Sequence, residues 1–113
     1  MEYLPYAKTP VQEIVDKTLD ARGIRLLVKR EDMNHPLVSG NKWWKLKYNL
    51  LKAVETRAER VITFGGAFSN HLAAVAYAGK AAGLRTIGIV RGEELKPIAH
   101  ENPTLSFALQ NGM

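Results

Sequence analysis

The chain has 113 residues, a net charge of +5, a pI of about 9.6 and no cysteine. Disulfide frameworks and cysteine–metal chemistry are therefore excluded, and the longest apolar stretches are far too short to cross a membrane. The length suffices for one domain, no segment resembles a signal peptide, and a cytoplasmic location is expected.

Tyr3, Pro5 and Tyr6 open the chain and are left between packing and lying loose. Residues 24–30 alternate Ile24, Leu26 and Val28 against Arg25, Leu27 and Lys29, an imperfect strand pattern. Residues 31–40 read as a loop, because Asp32, Asn34, Pro36 and Gly40 are turn and breaker residues. Residues 41 to about 57 read as a helix, with Trp43, Leu46, Leu50 and Val54 on one stripe and Trp44, Tyr48 and Leu51 widening it. A strand over 61–64 is followed by Gly65 and Gly66, which favour a turn with unusual backbone angles. A helix is predicted over 70–82, capped by Ser69 or Asn70 and stopped by Gly83. Residues 84–90 form another strand, 93–103 a mobile connector and 104–110 a short helix stopped by Asn111-Gly112. Strands alternating with helices predict an α/β fold with a parallel sheet. Such a sheet needs helices on both faces, and the elements present supply only an opened layer.

Two segments carry candidate chemistry. Ser39-Gly40-Asn41-Lys42-Trp43-Trp44-Lys45 places Lys42 and Lys45 in the first turn of a helix, where the helix dipole disfavours cations. An anion offsets them most simply, and backbone N–H groups at a helix start suit a phosphate. The same field favours a neutral amine, which can attack a carbonyl. The plainer reading is a solvated lysine on a basic helix. The second segment, from Arg60 to His71, reads as strand, glycine turn and polar helix start, an anion-binding corner of open α/β sheets. It has neither the dinucleotide glycine spacing nor the Gly-Lys-Ser/Thr of a phosphate loop. Its plainer reading is an ordinary helix cap.

Other chemistries fare worse. The basic charge raises a nucleic-acid partner, with Lys29, Arg30, Lys42, Lys45 and Lys47 beside Trp43 and Trp44. The positive residues are spread along the chain, however, and interleaved with Glu55, Glu59, Glu93 and Glu94, so neither nucleic acid nor membrane is an expected partner. His35, His71 and His100 lack metal-ligand spacing, so no metal is expected, and His35 and His100 read as solvated loop residues. Ser69 lacks the Gly-x-Ser-x-Gly elbow of a hydrolase. Asp16, Asp20, Glu31 and Asp32 form no acid/base pair by spacing.

Gly40-Asn41-Lys42 with Lys45-Leu46-Lys47-Tyr48, followed by Gly65-Gly66-Ala67-Phe68-Ser69-Asn70-His71, resembles the 1-aminocyclopropane-1-carboxylate deaminase and D-cysteine desulfhydrase family. Thr86 to Glu94 and Pro103-Thr104-Leu105 extend the likeness over nearly the whole chain. The resemblance implies the N-terminal portion of a fold-type-II, tryptophan-synthase-β-like enzyme that uses pyridoxal 5'-phosphate on a small amino acid. About residues 1–40 would belong to the large domain, and about 41–113 would carry the lysine and the Ser-Asn-His motif. By the same resemblance, Lys42 is the Schiff-base lysine and proton shuttle, supported by Asn41. Lys45 meets the cofactor phosphate, Asn70 its ring hydroxyl, Ser69 the substrate carboxylate or a proton transfer, and His71 the carboxylate site. His71 leans towards desulfhydration, since the deaminase branch more often has Gln there. Trp44 stands where the family usually has Arg, a bulky ring in place of a charged fork.

Family members are much longer, and their later portion carries the glycine-rich phosphate cup. A truncated remnant or interaction module is therefore the alternative. Either way a cut sheet predicts self-association or a homo-oligomer, through an open edge and through uncovered Trp43, Trp44, Leu50 and Val75.

Overall fold

The computed structural model describes residues 2–113, which form a mixed α/β layer. Strand β1 (Val11–Ile14) and strand β2 (Leu26–Lys29) pair antiparallel around a short helix α1 (Lys17–Asp20), capped by the Asp16 carboxylate. A single 3-10 turn, Glu31–Met33, leads through a loop to helix α2 (Asn41–Glu55). Strand β3 (Arg60–Gly66), helix α3 (Asn70–Ala81) and strand β4 (Arg85–Arg91) make one β–α–β unit with β3 and β4 parallel. A second 3-10 segment, Glu93–Ile98, occupies the expected connector and precedes helix α4 (Pro103–Gln110), capped by Asn102. The parallel layer is as expected. The first pair is antiparallel, however, and β1 and α1 carry too little apolar periodicity to announce themselves.

The core lies between α2 and α3. Trp43, Leu46 and Leu50 meet Ala74, Val75 and Ala78, with Leu4 and Val38 closing one end. Trp43, Leu50 and Val75 are therefore buried, correcting the expectation that they stand uncovered; only Trp44 of that set is exposed. Two neighbouring helices each supply the cover that the other lacks. Tyr3 and Leu4 settle the opening segment as packed, and the Trp43 indole N–H donates to the Leu4 carbonyl at 3.2 Å. His35 is likewise buried rather than solvated. Pro36 turns the chain so that His35 Nδ1 accepts from the Leu37 and Val38 amides at 3.1 and 3.0 Å, and its ring lies against Tyr77.

The uncovered surface is the sheet. Val61, Thr63, Thr86 and Gly88 alternate towards the helix side, which leaves Ile62, Phe64, Ile87 and Ile89 on the other face, exposed by 39 to 70%. Register aligns them as the cross-strand pairs Ile62–Ile87 and Phe64–Ile89, one continuous apolar patch. The radius of gyration, 17.6 Å, exceeds the roughly 13 Å of a compact chain this long, as a one-sided slab requires. Among the described residues no helix is long and apolar enough to cross a membrane.

The two surfaces should respond oppositely to mutation. Leu50→Ala is expected to lower the unfolding free energy by about 2–5 kcal/mol. Ile62→Thr should change it by no more than about 0.5 kcal/mol. Urea unfolding followed by circular dichroism measures both, and a large loss from Ile62→Thr would show that the sheet face is covered.

Candidate functional site

Helix α2 begins at Gly40, whose φ of 62° and ψ of −138° only glycine adopts without strain. Gly40 has no side chain with which to cap the helix, and the buried Asn34 fixes it instead. Asn34 Oδ1 accepts from the Gly40 N–H at 3.0 Å, and Asn34 Nδ2 donates to the Gly40 carbonyl at 3.2 Å. Two residues further on, Lys42 is half-buried, and its Nζ donates to Asn41 Oδ1 at 3.1 Å. Lys45 is exposed one turn along the helix.

Glu31 supports this corner. Its carboxylate accepts from Trp44 Nε1 at 2.6 Å, Thr9 Oγ1 at 2.8 Å, Asn34 Nδ2 at 3.3 Å and Tyr6 OH at 3.4 Å. The Trp44 indole foremost, then Thr9, holds the Glu31 carboxyl below the ordinary carboxylate range. Trp44 thus donates one indole N–H to Glu31, and its exposed ring lies against both Tyr6 and Trp43 at centroid distances of 5.3 and 4.9 Å.

The second corner differs from expectation in its glycines. Strand β3 continues through Gly66, and neither Gly65 nor Gly66 has a positive φ. Gly65 is required for close approach instead: a Cβ there would lie 2.8 Å from Leu72 Cγ and 2.9 Å from Ser69 Oγ. Ser69 is the cap of α3, its Oγ accepting from the His71 and Leu72 amides at 3.2 and 3.4 Å. Asn70 is exposed beside it.

The corners meet at His71. Burial first, then the positive charges of Lys42 and Lys45, holds the His71 imidazole below its ordinary value of 6.5. Lys45 and His71 also line one cleft of about 380 Å³, with Asn49, Thr63 and Val75 among its walls. Ser69 and Asn70 do not line that cleft, and Lys42 reaches the group through charge. A second hollow, of about 370 Å³, lies across β4 between residues 93–99 and α4; it is apolar and holds none of the motif residues. Sequence reasoning missed Asn34 and Glu31, which looked like ordinary loop polar residues; the left-handed glycine before a helix was the one available hint.

The chain is thus an α/β layer with two lysines at one helix start and a partly buried histidine at another. The comparisons narrow that description. The chain is 38% identical over 86 residues to a protein of Thermotoga maritima named putative 1-aminocyclopropane-1-carboxylate deaminase, covering 76% of this chain and 27% of that protein. It is 40% identical over 83 residues to the mitochondrial bifunctional D-cysteine desulfhydrase/1-aminocyclopropane-1-carboxylate deaminase of Arabidopsis thaliana, covering 74% of this chain and 20% of the relative. A Pyrococcus horikoshii protein with the same name as the Thermotoga one is 37% identical over 97 residues. Over about three quarters of its length, the chain is thus a relative of the 1-aminocyclopropane-1-carboxylate deaminase and D-cysteine desulfhydrase family, as its motifs indicate. It spans about a quarter of the length of the curated relatives it matches. No family model and no solved structure matches it.

The depressed histidines set a pH dependence. His35 and His71 are both held neutral by burial, so below about pH 6.5 the unfolded chain binds more protons than the folded one. Stability is complete above that pH and falls as the pH drops through the two depressed values. Glu31, Asp32 and Glu13, also held low, add a second loss below about pH 4.5. Proton NMR titration should place the His71 midpoint below 6.5, and Lys45→Ala should raise it; an unmoved midpoint would separate the two side chains.

Proposed function

We propose that this chain is the lysine-bearing part of a fold-type-II enzyme that uses pyridoxal 5'-phosphate to deaminate or desulfhydrate a small amino acid. The observation that supports it best is the shared field of Lys42, Lys45 and His71 at two helix starts. Two cations and a histidine held neutral suit a doubly anionic guest, a phosphate together with a carboxylate. The donor set therefore fits the cofactor, which when bound supplies the electron sink for the substrate carbanion.

The protein's own part is orientation and proton handling. Lys42 would be the amine that holds the cofactor, and its nitrogen would carry a proton to or from the substrate α-carbon or a nearby carbon. Asn41 steers it through the hydrogen bond to Nζ. Lys45 neutralises phosphate charge, and Asn70, exposed at the start of α3, is free to hydrogen-bond the ring hydroxyl. Ser69 Oγ already accepts from two amides, so its remaining role is to donate O–H to the substrate carboxylate. His71, neutral, lines the same carboxylate site and favours D-cysteine desulfhydration over deamination.

Borohydride reduction in the presence of pyridoxal phosphate should fix the pyridoxyl group on Lys42, as read by peptide mapping, and Lys42→Ala should abolish that label. Label scattered over many lysines would overturn the assignment. Cofactor binding by this chain alone should be weak and without D-cysteine turnover, because Lys42 and Lys45 compensate only part of the phosphate charge.

The open face of the β3–β4 sheet favours a second reading, an interaction module that keeps the motifs without the chemistry. Visible absorbance after cofactor addition separates the two, since only the first develops it. On either reading the exposed Ile62, Phe64, Ile87 and Ile89 drive association. Sedimentation at several concentrations and two salt levels should show oligomers that persist at high salt, because charge repulsion is screened there and apolar contact is not. A compact monomer at high concentration and high salt would overturn this.

A further inference from the structure

We propose that Asn34 is a positioning residue for Lys42, acting through Gly40; the assignment rests on the reading of Lys42 given above. Asn34 is completely buried, which is costly for a carboxamide unless its groups are bonded. Every group of it is engaged. Its side chain grips both backbone groups of Gly40 and also donates to Glu31 Oε2, while its own N–H donates to the Glu31 carbonyl at 3.2 Å and its own carbonyl accepts from the Ala7 N–H at 2.8 Å. The Gly40 N–H is further held by the Glu31 carbonyl at 2.9 Å.

The target of the grip is informative. A ten-residue loop can be closed by backbone bonds alone, and Gly40 to Glu31 already does so. The carboxamide adds a second constraint on the one residue whose backbone angles are freest, directly before the helix. A Cβ at Gly40 would meet nothing within 4 Å, so no packing on that side holds the residue in place. Lys42 follows two residues later, and a rotation at Gly40 would swing the first turn of α2 and the lysine with it. Asn34 removes that freedom, so Lys42 keeps one direction relative to His71 without being packed tightly itself.

The experiment uses the full chain with Asn34→Ala, Asn34→Ser and a control, Leu84→Ala, which loosens the core at the far end of α3. Asn34→Ser keeps a small hydrogen-bonding group in the buried site and sets no second carboxylate against Glu31, and so guards against an alanine variant that fails to fold. Two readouts are taken on folded protein. Amide hydrogen exchange at Gly40 and residues 41–45 should quicken about tenfold in both Asn34 variants, the scale of one or two lost hydrogen bonds, with residues 50–53 unmoved. Borohydride trapping with pyridoxal phosphate should show the Lys42 label falling about tenfold relative to Lys47, in line with the same loss. Leu84→Ala should lower the urea midpoint and leave both ratios unchanged. Unchanged exchange at residues 40–45 in a folded Asn34 variant overturns the positioning role. So does a tenfold loss of Lys42 preference in Leu84→Ala, which would make it a general stability effect. If wild type shows no Lys42 preference, the lysine reading fails, and the exchange data still decide whether Asn34 holds the helix start.

Discussion

Near and distant stretches of chain meet at the Glu31 carboxylate. Tyr6 and Thr9 reach it from the opening segment, Lys29 from the end of β2, Asn34 from the loop and Trp44 from α2. A carboxylate accepts in several directions at once, so one side chain can collect donors that share no regular secondary structure. Through Asn34 it is tied to Gly40, and through Gly40 to the start of α2. The first forty residues, mostly exposed and poor in core, thereby acquire a structural purpose. They brace the lysine-bearing helix from outside, and the interface between α2 and α3 supports it from within.

The charges at that helix start are tolerated because larger forces hold the helix. A cation in the first turn costs about 0.3–1 kcal/mol. Burying an apolar side chain such as Leu46, Leu50 or the Trp43 ring contributes about 1.5–3 kcal/mol each. Packing therefore outweighs the dipole penalty, and the fold keeps two lysines where an isolated helix would disfavour them. Their field falls on His71, which burial has already biased towards the neutral form. The result is a corner with cationic and neutral basic nitrogens and no carboxylate pairing with either lysine among the described ion pairs.

The same economy of packing explains the open face. Helix α3 packs on one side of the two-stranded sheet and meets α2 with its other apolar surface, and α4 packs against α3 beside it. Among the described residues, Ile62, Phe64, Ile87 and Ile89 stay exposed on the other side. The bare apolar surface is therefore on the sheet, and Trp43, Leu50 and Val75 on the helices are buried.

Local patterning was enough to find β2, α2, β3, α3, β4 and α4 within a few residues. Most have a strong period or a clear stop, such as the serine cap at Ser69 or the glycines at Gly83 and Gly112 with φ of 69° and 83°. The same local signals located the lysine motif, the Ser-Asn-His motif and the family likeness, because these are contiguous in the chain. They could not reveal β1 or its pairing with β2, since Val11, Ile14, Leu26 and Leu27 all remain exposed and the strands are held by backbone pairing and surface polar contacts such as Arg25–Glu13. Nor could they tell that Gly65 is a glycine for close approach, because Leu72 and Ser69 become its neighbours only when α3 folds back on β3. Glu31, Asn34 and His35 looked like loop residues because their partners are backbone atoms and distant side chains, for which no spacing rule exists. Sequence by itself determined where the chemistry-bearing residues sit along the chain; only the tertiary structure decided which of them are braced, which share a field and which face is left bare, since those depend on contacts between segments that no local period encodes.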